Sequence, residues 1–280
     1  MAGSISITEG AGAAFGFWRR SCFRVAAPLV LTGLLSAGAM FALLARDFSR
    51  AGPFLLAELA AALMAQGALF RIARAQRQPG DPSLSPGFGG FQWGWLEWRL
   101  LAVVLLRGLV FGLLGALFLI VLAALYTGLA AAEARSGFAV AAQAHWRPSL
   151  DPMGWTVVSL AGLAGTAGLC WVWLRLYLAL PATVALGRVQ VLSTWGLTQG
   201  RAWRILGAVV LVLLPGIGVA VTARVGREAL ALGGWGSGRL PMGIYSLIIG
   251  LDHAFLMLPL SVGLMTHLYD RLGPEDAGVS

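Results

Sequence analysis

Five residues of chemically active type lie in stretches that are otherwise apolar: Glu58, Arg107, Arg175, Asp252 and His253. An ionisable side chain at the centre of a lipid bilayer costs about 3 kcal/mol or more, so such residues are functional suspects. Asp252 and His253 fall near the middle of their stretch, where a carboxylate beside an imidazole could relay a proton. Adjacent residues on a helix point roughly 100° apart, so the two need not touch. A structural Asp–Arg pair is the alternative. Arg107 and Arg175 approach one end of their stretches, where a long side chain can carry its charge to water. Glu58 lies near the end of its own. Taken together, the five define a candidate polar pathway. Thr198, Gln199, Arg201 and Arg204 form a second set, with hydrogen-bond donors at headgroup depth. They either anchor a turn or hold an anionic lipid headgroup.

Other chemistry is not signalled. His145, His253 and His267 are scattered, and Cys22 and Cys170 make neither a metal set nor a good disulfide pair. There is no His-Glu-x-x-His, Gly-x-Ser-x-Gly or phosphate-binding loop. The expectation is a non-enzymatic chain without catalytic residues, cofactor or metal.

The elements that position these residues follow from composition. Of 280 residues 58% are hydrophobic and 11% charged, with mean hydropathy +0.80. A soluble domain has about 25% charged residues. So apolar a chain needs lipid as part of its solvent. Six runs meet the length of about 20 residues that crosses the hydrocarbon core: 25–45, 53–72, 100–127, 154–180, 205–225 and 242–268. The expected fold is an all-α membrane protein, one integral domain with six transmembrane helices. The first run exceeds the apolar core of a signal peptide and is expected to stay as a helix.

All twenty basic residues are arginine. Codon bias in a GC-rich genome explains this, and a surface for anionic lipid is the alternative. The net charge of +8 lies in loops rather than on a soluble module, which argues against nucleic acid as a partner. Eleven arginines fall in one set of loops and seven in the other. The positive-inside rule then places both termini in the cytoplasm of a bacterial inner membrane. Trp18, Trp93, Trp95, Trp98, Trp195 and Trp203 mark the cytoplasmic interface, and Trp146, Trp155 and Trp235 the opposite one. Gly108, Gly112, Gly162, Gly165 and Gly168 permit close helix packing, within the chain or at a homodimer seam.

Three aromatic–Arg steps recur at the mouths of odd-numbered spans: Phe23-Arg24, Trp98-Arg99 and Trp203-Arg204. They suggest three transmembrane hairpins, each introduced by an amphipathic helix lying in the interface. The stretch from Arg175 through Leu180 and Pro181 to Val184, then Ser193-Thr194-Trp195-Gly196-Leu197-Thr198-Gln199-Gly200 through Trp203-Arg204, is the most distinctive text in the chain. It resembles bacterial six-helix proteins of the YciC-like kind, and the membrane domain attached to some glycerophosphoryl diester phosphodiesterases. The match covers about residues 175–207, with Thr194 inserted where Ser and Trp would be adjacent. The resemblance implies fold and membrane location, but the chain has no room for the hydrolase domain. Membrane lipids and an unidentified membrane protein are the expected partners. The competing expectation is a small transporter or channel built on the five intramembrane residues.

Overall fold

The computed structural model describes residues 6–76, 78, 88–135, 150–230, 232 and 238–273, apart from the side chains of 88 and 133–135. Among them the regular elements are all helical: α1 (Ile7–Ser21), α2 (Ala26–Leu44), α3 (Phe48–Ala75), α4 (Trp95–Arg135), α5 (Pro152–Arg175), α6 (Ala179–Leu186), α7 (Thr194–Leu197), α8 (Ala202–Leu230), α9 (Arg239–Asp252) and α10 (Leu258–Leu272). Six stretches are long and apolar enough to cross a membrane: Ile7–Leu44, Phe48–Ala75, Trp95–Ala132, Pro152–Leu186, Ala202–Leu230 and Arg239–Leu272. They coincide with the six expected spans, and each is longer. Hydropathy falls at the first charged residues, but the helical backbone continues through them. Arg77, His145, Trp146, Arg147 and Trp235 lie outside the described residues, as do most of the expected loops.

The chain forms two compact units, Met1–Val103 with Tyr177–Ser280, and Val104–Leu176. In the first, α2 packs against α3 and α9, while α1 packs against α10 and α8. Leu29, Leu63, Leu69, Leu100, Ile205, Leu260, Leu264 and Leu268 fill its interior. The α2–α9 crossing is a backbone contact. A Cβ on Gly250 would stand 2.7 Å from the Ala37 nitrogen, and one on Gly33 would stand 3.2 Å from the Gly250 carbonyl oxygen. The turn between α2 and α3 puts Arg46 in the left-handed region, at φ 57°. The Asp47 N–H donates to the Ala42 carbonyl at 2.9 Å and the Arg46 N–H to Leu43 at 3.0 Å, closing the end of α2. The Asp47 carboxylate then caps α3 by accepting from the Arg50 N–H at 3.2 Å.

In the second unit α4 and α5 run side by side. The Phe118 ring lies against Gly165, where a Cβ would stand 2.6 Å from its Cζ. Further along, Tyr126 meets Trp155 at 6.2 Å between ring centroids. Asp151 caps α5 by accepting from the Gly154 N–H at 2.5 Å. Leu109, Leu113, Leu117 and Ile120 stand exposed along α4. Soluble proteins rarely expose so continuous an apolar strip, and lipid chains are the medium that fits it.

At the start of the first stretch, α1 buries Ala11, Ala14 and Phe17. Its partners there include Gly263 of α10, whose Cβ would stand 2.9 Å from the Phe17 ring. Ahead of α4 the described residues form one 3-10 turn, Phe88–Gly90, and ahead of α8 the four-residue α7. Glu9 near the start of α1 pairs with Arg271 near the end of α10.

The sixth span is not uniform. Between α9 and α10 the helix widens to a π-turn over His253–Met257. Pro259 has no N–H to give the Phe255 carbonyl four residues back. Trp18 of α1 fills the gap, its indole Nε1 donating to the Phe255 oxygen at 2.7 Å. Cys22 approaches the same oxygen at 3.7 Å. Sequence reasoning places Trp18 as an interfacial anchor, yet its N–H serves the bundle. Trp18→Phe keeps the ring but leaves that carbonyl with only a weak thiol donor. A loss of about 1–3 kcal/mol is expected from the unsatisfied group, read as a lower melting temperature in detergent. An unchanged melt would mean the bond contributes nothing.

Candidate functional site

The distinctive segment 175–207 is an elbow wired by its own threonines. α5 ends at Arg175, and Leu176 and Leu178 take ψ near zero, 4° and 5°, before α6 begins. Pro181, third in α6, cannot donate to the Tyr177 carbonyl, so the break falls where that missing bond requires. Gly187 turns the chain with φ 61° and Gly200 with φ 73°. The buried Thr183 hydroxyl accepts from the Gln190 N–H at 3.0 Å. Thr194 donates to the Val191 carbonyl at 2.7 Å, and Thr198 to Trp195 at 3.2 Å. Thr198 is fully buried, so its hydroxyl holds the turn. Gln199 and Arg204 are exposed and Arg201 is half-buried, leaving these three to face outward.

The most deeply buried charge pair was not among the suspects. Arg71 of α3 donates through Nη2 to Glu97 Oε1 of α4 at 2.5 Å, with side chains 7% and 0% exposed. The Gly94 N–H donates to the other carboxylate oxygen at 2.7 Å. Gly67 makes room, since a Cβ there would stand 3.0 Å from the Glu97 carboxyl carbon. Hydropathy singles out neither residue, because Arg71 and Glu97 each stand near a helix end. The one available signal was that each lies on the apolar side of its helix end.

Asp252 is half-buried at the end of α9, immediately before the π-turn. Its Oδ1 is shielded from solvent and accepts no hydrogen bond among the described residues. The carboxylate lies beside Gly216 of α8, where a Cβ would stand 3.2 Å from Oδ2 and 2.9 Å from the Met257 sulfur. His253 is exposed, so the two neighbours occupy different surroundings. Glu58 is half-buried on α3. Arg107 and Arg175 belong to the second unit. Arg107 is half-buried, and Arg175 is buried with its guanidinium carbon 4.9 Å above the Trp171 ring.

Two hollows flank α9 in the first unit. Between α8 and α9 lies a groove of about 590 Å³, lined by residues that include Pro215, Val219, Ile244 and Ile248. Arg227 lies at one end, its guanidinium carbon 4.8 Å over the Tyr245 ring. Among α2, α3 and α9 lies a cavity of about 660 Å³. Phe41, Phe54, Met242 and Leu247 form its apolar wall, and Asp47, Arg50 and Arg239 its charged part. The Ser49 hydroxyl and the Arg50 N–H hold the Asp47 carboxyl below the usual carboxylate range. Asp47 stays ionised and pairs with Arg50 at 3.2 Å. Among the described residues no three His, Cys, Asp or Glu side chains gather as a metal site would require.

Six long apolar helices and an exposed leucine strip define a multi-pass α-helical membrane protein. No known protein family, curated protein or solved structure matches the chain.

Proposed function

We propose that this is a non-enzymatic protein of a bacterial inner membrane, with both termini cytoplasmic, that organises the membrane by binding anionic lipid. The observation that carries the reading is the α8–α9 groove. Its wall is apolar, it lies between two membrane-spanning helices, and Arg227, the cation among its described lining residues, sits at an end. An acyl chain fits the wall, and a phosphate fits the guanidinium. Gln199, Arg201 and Arg204 at the elbow are a second place for headgroups, and the YciC-like resemblance over 175–207 supports the same reading. An unidentified membrane protein or a second copy of the chain is a further partner in this view.

Native mass spectrometry with phosphatidylglycerol and phosphatidylcholine tests it. Phosphatidylglycerol is expected to stay bound in preference. Arg227→Ala should reduce that preference about tenfold, the value of one charge-assisted hydrogen bond. Equal retention of both lipids, unaltered by Arg227→Ala or by Arg201→Ala with Arg204→Ala, would refute the proposal.

A second reading, a small transporter, is favoured by one observation. Asp252 presents a carboxylate oxygen without a partner among the described residues, at a widened turn within a span. Irregular helical turns in transporters accompany coupling-ion sites. Proteoliposomes in which Asp252→Asn leaves every ion or solute flux unchanged would exclude it.

A further inference from the structure

We infer that the cavity among α2, α3 and α9 is a binding site for a single-chain anionic amphiphile, one carboxylate or phosphate on one acyl chain. The volume, about 660 Å³, is that of a small-ligand pocket. Its interior and its mouth ask for different ends of one molecule. Phe41, Phe54, Met242 and Leu247 offer a surface for a chain. The Phe54 ring lies against Gly38, where a Cβ would stand 2.8 Å from its Cδ1. That packing holds the ring as a wall.

The charged part calls for an anion. Asp47 is already spent: its oxygens accept from the Ser49 hydroxyl, the Arg50 N–H and the Arg50 guanidinium. Arg239 is exposed, and no carboxylate is paired with it among the described residues. With Arg50 and Arg239 against Asp47, the mouth carries a net charge of +1. The start of α9 adds to this. Gly238 provides no side-chain cap, so the first N–H groups of that helix and its positive dipole end stand beside Arg239. Cavity, cation and open helix end converge on one place. The residues differ from those of the α8–α9 groove, so either site can fail without the other.

Photo-crosslinking tests the site, using dodecyl phosphate, dodecanoate and dodecyltrimethylammonium that each carry a diazirine on the chain. The protein is held in phosphatidylcholine nanodiscs, and adducts are mapped by peptide mass spectrometry. The two anionic probes should label 37–54 and 239–247, the cationic probe at least about tenfold less. Unlabelled dodecyl phosphate or dodecanoate should compete, and the better competitor names the head. Dodecanol and inorganic phosphate should not compete, since each lacks half of the ligand. Arg239→Ala, an exposed change that leaves the packing alone, should cut labelling about tenfold. Gly243→Leu, which fills the cavity beside Phe41, should abolish it at an unchanged melting temperature. Equal labelling by the cationic probe overturns the proposal, as does full labelling of Arg239→Ala. Loss of label in Arg227→Ala also overturns it, because the probe would then be reporting the other groove.

Discussion

Glu97→Gln is expected to destabilise the protein by about 3–5 kcal/mol, the cost of leaving a buried charge without its counterion. The side chain keeps its length and a hydrogen-bonding oxygen, so almost the whole effect comes from the charge. Arg71 is 6% exposed and its Nη1 has no partner among the described residues, so the cation has little water to fall back on. Unfolding in mixed detergent micelles measures the loss. The double variant Arg71→Met, Glu97→Met should recover most of it, because removing both charges also removes both desolvation penalties. A Glu97→Gln protein within about 1 kcal/mol of the parent would show that the pair is not a unit of the core. The same micelles serve for Gly67→Ala, whose new methyl would collide with the carboxylate.

Gly250→Val should come second in size. At Gly250 the obstacles are the Gly33 carbonyl and the Ala37 nitrogen of α2. Backbone atoms cannot swing aside as a side chain does, so α2 and α9 must separate. Overpacking of a tight contact costs about 1–3 kcal/mol, and more where the backbone must move. The proper controls are Gly108→Ala and Gly112→Ala, where a Cβ meets nothing within 4 Å. Those should be neutral or stabilising by up to about 1 kcal/mol, because alanine favours a helix more than glycine does. Melts in which Gly250→Val matches the controls would remove the crossing from the account.

That contrast shows where the sequence is legible. The six spans could be read because lipid demands about 20 apolar residues and every backbone group bonded within the helix, and hydropathy reports both. The elbow at Pro181 could be read because proline fails in the same way everywhere. The glycines could be read only in part: Gly165, expected at a helix contact, does receive the Phe118 ring. Gly108-x-x-x-Gly112 has the spacing expected at a helix contact, yet nothing lies against it among the described residues, whereas Gly33, Gly67, Gly216 and Gly250 carry the close approaches without any motif. Spacing along one helix says which residues share a face. It does not say which helix comes to that face.

The candidate site was legible in the same partial way. Asp252 was singled out by its depth in an apolar run, and it carries an oxygen, Oδ1, without a partner among the described residues, beside a π-turn. Arg71 and Glu97 were invisible because each stands near a helix end, where charge is ordinary, and their pairing across 26 residues is tertiary information. Thr198 looked like a headgroup donor from its neighbours, but the turn uses its hydroxyl internally. The cavity beside α9 could not be foreseen at all, because hollows arise from how helices diverge.

The bond between Trp18 and the Phe255 carbonyl has a consequence for how the chain is made. Its partners are 237 residues apart, and Glu9 waits for Arg271 over a longer stretch still. The ribosome releases Trp18 long before Phe255. Until Phe255 emerges, α1 has neither that acceptor nor its packing surface on α10, although its partner surface on α8 is already made. Insertion of the last span therefore closes the fold. A nascent chain arrested before residue 255 would hold five inserted spans and an N-terminal helix still open to protease.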